Sequence, residues 1–241
     1  MTATATDVAA VLAGLTVVDL TQPLGPDTVL WPGAPKLAAD DVITRDAHGY
    51  FARLVHVFEH AGTHFDAPIH MVEGAAPVEE VPASTLFLPV RCIDISGDIA
   101  DDADAVLTAG QVHRHEAEHG PVPPGSAVFL RTGWETRNRD EAAYTGGADG
   151  LHFPGFGLES AELLVAGRGV VGLGIDTLGI DAGCAPEFPV HKKVSHPRGV
   201  WHVENLTNLS ALPASGAWVF IGVPAIVGAS GFPARVLALV P

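Results

Sequence analysis

Three histidines and one aspartate lie within eleven residues of this chain, in the stretch His60-Ala-Gly-Thr-His64-Phe-Asp66-Ala-Pro-Ile-His70. Neutral imidazole and carboxylate groups are the usual ligands of a borderline divalent ion such as Zn²⁺ or Mn²⁺. The chain has 12 histidines, but a chance cluster would not be expected to combine three of them with an aspartate between turn residues. The stretch therefore predicts a metal site.

The spacing of the first two histidines is that of a helical metal motif, but the neighbouring residues disfavour a helix. His60 and His64 are four residues apart and would share one face of a helix. The helical zinc-protease pattern needs a glutamate directly after the first histidine, and this chain has Ala61 there. Gly62 and Pro68 are also unfavourable inside a helix. The general base of the helical mechanism is therefore missing.

A strand followed by a tight turn fits the stretch better. We expect a strand over residues 50–59, after which the turn brings His60 back beside the following segment. Because side chains two residues apart in an extended segment point the same way, His64 and Asp66 would face one site. These three residues are the predicted inner ligands, and His70 would lie just outside them.

The overall composition is that of an acidic chain with enough apolar residues for a sizeable core. Its 241 residues, 47% of them hydrophobic, suit one domain over residues 1–241. A net charge of −15 argues against nucleic acid and anionic membrane surfaces as partners. No signal peptide or apolar run of membrane-spanning length is visible, so we expect a cytoplasmic protein. Charged residues are only 17% of the chain, which predicts surface burial in a homodimer or homotetramer.

Residues 60–70 resemble the signature His-x-Gly-Thr-His-x-Asp-x-Pro-x-His of the cyclase family of metal-dependent hydrolases. That family includes bacterial kynurenine formamidases, isatin hydrolases and some lactone hydrolases. The match to the signature is complete, and the similarity extends from about Val18 to Leu239. The resemblance implies an α/β fold, a swivelling β/β/α domain with a mixed β-sheet core and few helices. The strand-rich pattern of the sequence agrees with this fold.

The resemblance also implies a second group of ligands further along the chain. In the family, a histidine followed about a dozen residues later by the glutamate of a Glu-Asn-Leu sequence completes the metal site. His191 and Glu204 fit this pattern, although the intervening loop is about one residue longer than usual, and His196 competes with His191. Glu204 also lies in an otherwise apolar strand, where a carboxylate is costly to bury unless it is paired or bound to a metal.

Three aromatic residues and one further histidine are candidates for contact with a small-molecule substrate. Trp31, Phe51 and Phe156 would form an apolar wall for an aromatic substrate, although each also suits a position in the core. Trp31 lies in a proline-rich loop whose counterpart in the family can wall the substrate site. His202 shares strand parity with Glu204 and would line the site.

Other polar residues are expected to have structural roles. Asp176, at the end of an apolar strand, would either orient a ligand histidine or cap a turn. Arg131 ends another apolar strand and is expected to form a structural ion pair. His113, His115 and His119 lie on a predicted helix that begins with a capping box, and we expect them on its solvent-exposed face.

Taken with the family resemblance, these residues imply hydrolysis of a small amide. The resemblance implies either two ions bridged by Asp66, as in kynurenine formamidases, or one Mn²⁺ or Zn²⁺, as in isatin hydrolases. His70, with an ordinary pKa of about 6.5, would take a proton from water and pass it to the leaving group. We expect cleavage of an aryl formamide, with ring opening of a cyclic amide or lactone of the isatin or dienelactone type as the alternative. A non-catalytic metal or small-molecule binding protein is a third hypothesis, but it would need no base such as His70.

Overall fold

The computed structural model describes residues 5–99 and 102–241, and a nine-stranded sheet lies at its centre. The strands in chain order are β1 (Thr16–Asp19), β2 (Ala38–Ile43), β3 (Ala52–His56), β4 (His64–Asp66), β5 (Phe87–Asp94), β6 (Val106–Leu107), β7 (Ala127–Arg131), β8 (Gly155–Phe156), β9 (Gly172–Ile175), β10 (Trp201–Glu204), β11 (Ala217–Gly222), β12 (Gly231–Pro233) and β13 (Arg235–Val240). The α-helices are α1 (Ala5–Ala13), α2 (Arg45–His48), α3 (Ser96–Ile99), α4 (Ala109–His119), α5 (Glu141–Thr145) and α6 (Leu158–Glu162). Two π-helical segments cover Leu163–Gly167 and Val190–Ser195. Single 3₁₀ turns lie at Pro68–His70, Val78–Glu80, Ala83–Thr85, Trp134–Arg137, His196–Arg198 and Leu209–Ala211.

The central sheet is mixed, with parallel strands in the middle and antiparallel strands towards both ends. Its order is β1-β13-β11-β5-β7-β9-β10-β4-β12. The strands β5, β7, β9 and β10 run parallel to one another. Every residue of β9, and every residue of β7 except Arg131, is buried, as expected for parallel strands that are covered on both faces. A mixed sheet with few helices confirms the predicted fold class.

Two apolar clusters cover the two faces of this sheet. Successive side chains of β7 divide between them, because neighbouring residues of a strand point to opposite faces. Phe129 packs in one cluster with Phe65 and Trp201. Leu130 packs in the other cluster with Ile175. Apolar side chains therefore pack on both faces of the sheet whose strands carry the candidate ligands.

The pairing of β4 positions the residues of the ligand stretch. This strand lies between β10 and β12 and is antiparallel to both. Its register sets His64 opposite Glu204 and Asp66 opposite His202. Gly231 on β12 has no room for a side chain, since a Cβ there would lie 2.5 Å from a carbonyl oxygen of β4. The tight approach of β12 therefore depends on glycine.

Several elements differ from the expectations from sequence. The strand predicted over residues 50–59 is shorter, and β3 pairs with β2 in a separate sheet, so it does not run into the ligand stretch. The polar, glycine-rich stretch over residues 137–150 contains the short helix α5, whose Tyr144 is buried. The predicted capping box of α4 is confirmed by hydrogen bonds between Thr108 and Gln111.

Within the described residues, no helix has the length and apolar character needed to cross a membrane.

Candidate metal centre

The first three predicted ligands converge at β4. His60 Nδ1 lies 2.6 Å from Asp66 Oδ1, and His64 Nε2 lies 3.1 Å from the same oxygen. Gly62 forms the turn between the two histidines with a φ of 60°, a left-handed conformation that favours glycine. The turn thus brings His60 back beside β4, in the way the sequence leads us to expect.

The second predicted ligand pair reaches the same place from β10 and from the π-helical segment that follows Pro189. His191 Nε2 lies 3.7 Å from Asp66 Oδ2 and 3.4 Å from Glu204 Oε1. Glu204 Oε2 lies 3.5 Å from His64 Nε2. The two oxygens of Asp66 therefore face different histidines, and the five predicted ligands form one cluster.

Hydrogen bonds determine which nitrogen of two of these histidines faces the cluster. His64 Nδ1 lies 2.9 Å from the carbonyl oxygen of Gly62, and His191 Nδ1 lies 2.6 Å from Asp181 Oδ2. Because both oxygens are acceptors, each Nδ1 carries an N–H, and Nε2 is the nitrogen that faces the cluster and would offer its lone pair to a metal. Histidine ligands of metals usually donate their second nitrogen to an oxygen in this way.

His60 is oriented through its other ring nitrogen. Its Nε2 lies 2.9 Å from Ser230 Oγ, and that hydroxyl donates to Glu59 Oε2 at 2.5 Å. The serine proton points to the carboxylate of Glu59, so His60 Nε2 donates to Ser230, and Nδ1 is the nitrogen that faces Asp66 and the cluster. The sequence pattern does not indicate this contact, because Ser230 lies 170 residues further along the chain.

The charges of the cluster fit a metal ion. Asp66 and Glu204 are buried, and their charged partners are histidines. Burial lowers the pKa of His64, but Asp66 and Glu204 outweigh burial and raise that pKa to about 9. Burial likewise raises the pKa of Asp66, but His60 and His64 hold it well below its ordinary value. The buried carboxylates therefore require positive charge, and a divalent metal ion would supply it to these nitrogen and oxygen donors.

His70 lies beside the cluster rather than inside it. Its Nε2 is 4.0 Å from Asp66 Oδ2, and its ring centroid is 4.0 Å from that of His60. The side chain is 26% exposed and borders the adjoining cavity. Burial, together with the positive charge of neighbouring histidines, lowers the pKa of His70 to about 4 against the attraction of Asp66. At neutral pH this imidazole is therefore uncharged and can accept a proton.

A cavity of about 610 Å³ opens next to the cluster. The predicted ligands border it on one side, and its walls are mainly apolar, with Trp31, Phe58 and Phe188 among them. Trp31 packs against Phe188 with ring centroids 5.7 Å apart, and edge-on against Phe153 at 6.3 Å. Aromatic walls of this kind attract the faces and edges of an aromatic ligand. The position of Trp31 agrees with its expected place in the wall.

Three residues predicted to contact substrate lie elsewhere. Phe51 is 45% exposed on the surface next to β3, outside the cavity wall. Phe156 on β8 is 2% exposed and packs in the apolar core. His202 is fully buried beside His191, with ring centroids 4.4 Å apart, and does not border the cavity. Residue type and strand parity do not separate core, surface and cavity, which is why these predictions differ from the structure.

The aspartate that orients a candidate ligand histidine is Asp181, whereas the sequence leads us to expect Asp176. Asp181, to which the sequence assigns no role, accepts the Nδ1–H of His191. Asp176 instead accepts the backbone N–H groups of Thr132 at 3.0 Å and Gly133 at 2.7 Å. Burial raises the pKa of Asp176 to about 6. Of its two interpretations, the turn cap is therefore the one that the structure supports.

Two further expectations concern residues away from the cluster. Arg131 forms an ion pair with Asp94, as expected for a charged residue at the end of an apolar strand. His115 is buried rather than solvent-exposed, and burial lowers its pKa to about 4. The reason is helical spacing, since His115 lies three residues after Val112 on the buried face of α4.

Comparison with known proteins identifies the family of this chain. The family model described as Putative cyclase matches residues 18–182. Isatin hydrolase from Roseibium aggregatum is 36% identical over 243 residues, covering 93% of this chain and 92% of that protein. Kynurenine formamidase from Salinibacter ruber is 22% identical over 224 residues, covering 92% of this chain and 96% of that protein. The chain therefore belongs to the putative cyclase family, as the ligand stretch indicates.

Solved structures agree with this assignment. A crystal structure of an isatin hydrolase bound to the product analogue thioisatinate has a TM-score of 0.91 at 33% identity, covering 99% of this chain and 100% of that chain. Isatin hydrolase A from Ralstonia solanacearum has a TM-score of 0.90 at 32% identity, covering 100% of both chains. Within its family, this chain is a metal-dependent hydrolase that acts on carbon–nitrogen bonds of amides.

Proposed function

We propose that this hydrolase opens a cyclic amide fused to an aromatic ring, of the isatin type, by adding water across the ring amide bond. The observation that carries the proposal is the meeting of a ligand cluster, His70 and an aromatic-walled cavity at one place. The relative named isatin hydrolase, which matches 93% of the chain at 36% identity, supports the same substrate class.

We infer that His60, His64 and Asp66 hold one divalent ion, Mn²⁺ or Zn²⁺. Asp66, His191 and Glu204 would hold a second. The donors fit such ions because nitrogen and carboxylate oxygen atoms converge within 4.8 Å of one another in each group. When bound, such an ion polarises a carbonyl group and lowers the pKa of water towards about 7.

The side chains around the cavity would orient the substrate and move the proton. Trp31 and Phe188 would hold the aromatic ring, so that its amide reaches the side of the cavity where the ligands lie. His70 Nε2 would take a proton from the attacking water and return it to the ring nitrogen as the carbon–nitrogen bond breaks. One water is consumed, and the single product carries both the new amine and the new carboxylate.

An aryl formamide is the second candidate substrate, and it is the one that the sequence favours first. The observation that supports it is Glu204 beside His191, because the family resemblance links this pair with the two-ion site of kynurenine formamidases. The relative named kynurenine formamidase also covers 92% of the chain. This reaction would release formate and an arylamine as separate products.

Metal and substrate assays on the purified protein test the proposal. Metal content per chain is measured by mass spectrometry before and after chelation, and both samples are assayed on isatin and N-formylkynurenine. We expect isatin opening that chelation abolishes and Mn²⁺ or Zn²⁺ restores. Cleavage of N-formylkynurenine alone would favour the second candidate. No stoichiometric metal in repeated preparations, and no rescue by either ion, would overturn the metal site.

The role of His70 has its own test. His70→Ala should keep its metal content and lose about 10²–10⁴-fold in kcat, the usual contribution of a general acid–base residue. His113→Ala is the matched control, because His113 is an exposed histidine on α4, and it should keep full activity. Unchanged hydrolysis by His70→Ala would contradict the assigned role.

We also propose that the protein assembles as a homodimer or homotetramer. Phe87, Trp218 and Phe220 support this, because each is more than 40% exposed and they lie on the neighbouring strands β5 and β11. Light scattering on the purified protein tests the assembly, and a monomer at micromolar concentration would contradict it. The single-domain organisation over residues 1–241 and the cytoplasmic location stay predictions from sequence.

A further inference from the structure

His202 is a buried histidine to which the proposed function gives no role. It lies on β10 two residues before Glu204, so both side chains project from the same side of the strand. Its register partner on β4 is Asp66, which sets His202 directly across from the carboxylate at the centre of the cluster. Its ring centroid is 4.4 Å from that of His191, with the two ring planes nearly perpendicular at 85°.

Ser195 determines which nitrogen of His202 carries the proton. Ser195 Oγ lies 2.9 Å from the carbonyl oxygen of Val190, which can only accept, so the hydroxyl proton points there. A lone pair of Oγ is left for His202 Nε2 at 2.8 Å, so this nitrogen is the N–H donor. The neutral imidazole then carries its lone pair on Nδ1. That atom is buried, and it has no hydrogen-bond partner among the described residues.

The histidine lies among atoms that can bind a metal. A ring nitrogen of His202, a ring nitrogen of His191 and one carboxylate oxygen each from Asp66 and Glu204 all lie within 4.8 Å of one another. All four residues are buried. His191 gives its Nδ1–H to Asp181, as His202 gives its Nε2–H to a serine oxygen. Both histidines therefore keep one lone pair for a cation and hold their protons on another acceptor.

We propose that His202 Nδ1 is a ligand of the second divalent ion, together with Asp66, His191 and Glu204, and that Ser195 is a positioning residue for it. This inference rests on the metal centre of the proposed function. With His202 the second ion would have four protein ligands, as structural zinc ions usually have, whereas the first ion would have three, as catalytic zinc ions usually have. The second ion would therefore stabilise the buried carboxylates, and the first would serve the substrate.

His196 is the competing ligand. Its ring stacks on that of His202 with centroids 4.3 Å apart, and a nitrogen of His196 also lies within 4.8 Å of nitrogens of His191 and His202. That set of three histidines contains no carboxylate, so nothing in it would neutralise the charge of a buried divalent ion. The set that includes Asp66 and Glu204 supplies two negative charges, and we therefore favour it.

Zinc titration of protein stripped by chelation tests this inference. Bound ions per chain are counted by mass spectrometry after gel filtration, and calorimetry gives the affinity of each. We expect two ions in the wild-type protein. His202→Gln should keep the first ion and bind the second about 100-fold more weakly, and Ser195→Ala should weaken the second about 10–100-fold. His196→Gln is the matched control and should bind both ions as the wild type does.

The outcomes separate this inference from the proposed function. No bound ion in the wild-type protein would overturn both, whereas one bound ion would overturn this inference and the second ion of the metal centre but leave the proposed hydrolysis standing. A second ion that keeps its affinity in His202→Gln, or is lost in His196→Gln, would also overturn it. Should His202→Gln fail to fold, anomalous diffraction at the zinc edge on wild-type crystals needs no substitution. A zinc peak about 2.0–2.1 Å from His202 Nδ1 would support the ligand assignment, and zinc bound only elsewhere would refute it.

Discussion

Replacing Asp181 by asparagine should move the proton of His191 from one ring nitrogen to the other. The Asp181 carboxylate accepts three N–H groups, from Val190 N at 2.7 Å, His191 N at 3.2 Å and His191 Nδ1 at 2.6 Å. An asparagine oxygen can keep the bond to Val190, but the NH₂ group would then face two donors of His191. The ring relieves this conflict by accepting at Nδ1, and its proton then lies on Nε2.

The displaced proton would point into the ligand cluster. His191 Nε2 lies 3.7 Å from Asp66 and 3.4 Å from Glu204, and a protonated nitrogen cannot bind a metal. Losing the partner that orients a ligand histidine typically weakens metal binding by about 10–100-fold, which is about 1.4–2.7 kcal/mol. The backbone N–H of His191 also loses its acceptor, which costs about 1–3 kcal/mol of folding free energy. The ion held by His60 and His64 should keep its affinity.

Histidine-selective ¹⁵N NMR reports the tautomer of His191, and zinc titration reports the affinity. Asp176→Asn is the matched control, because Asp176 is also buried and accepts backbone N–H groups but contacts Thr132 and Gly133 instead of a histidine. We expect the control to lose stability without a change in the affinity of either ion. The reasoning is refuted if Asp181→Asn leaves the proton on Nδ1, or if the control weakens zinc binding equally.

Three further predictions concern the packing, an ion pair and the cavity wall. Glu116 accepts two N–H groups of Arg168, and these bonds lower the pKa of Glu116 to about 2. The pair therefore stabilises the fold fully above about pH 4.5, and this contribution is lost as the pH falls through 2. Glu116→Gln should lower the free energy of unfolding by about 1–2 kcal/mol at pH 7 and by less near pH 2, measured by urea titration. Gly231→Ala should cost about 1–3 kcal/mol, because its Cβ would lie 2.5 Å from Phe65 O, and an unchanged melting temperature would contradict this. Trp31→Ala should raise KM for an aromatic amide about tenfold with a smaller change in kcat, and a fall in kcat alone would assign Trp31 a different role.

The part of the site that the sequence predicts well is carried by one continuous segment. Residues 60–70 form a turn, a three-residue strand and one 3₁₀ turn, so local spacing is enough to bring His60, His64 and Asp66 together. The strand Ala127–Arg131 is predictable for a related reason, since its first four residues form a continuous apolar stretch, which indicates a strand whatever its neighbours are. Spacing along the chain does not connect this segment with the second ligand pair. The prediction of that pair depends on the family resemblance.

The cavity wall could not be predicted from residue type. Phe58 and Phe188 border the cavity, whereas Phe51 and Phe156 lie on the surface and in the core. Phe188 follows Glu187 in a bend where both residues adopt left-handed conformations, with φ values of 53° and 62°. Such conformations are uncommon outside glycine, asparagine and aspartate, and no residue of these types marks the bend in the sequence.

The oxygens that orient the histidines are the hardest part of the site to predict. To orient a ring, each has to accept only one N–H of that ring, so a serine or an aspartate serves equally well, and its place is set by the fold rather than by spacing. Ser230, Asp181 and Ser195 perform this task for three different histidines, from positions 170, ten and seven residues away. None of them needs to touch substrate or metal. We therefore expect substitutions at these three positions to change metal affinity before they change the fold, and this separates them from substitutions in the apolar core.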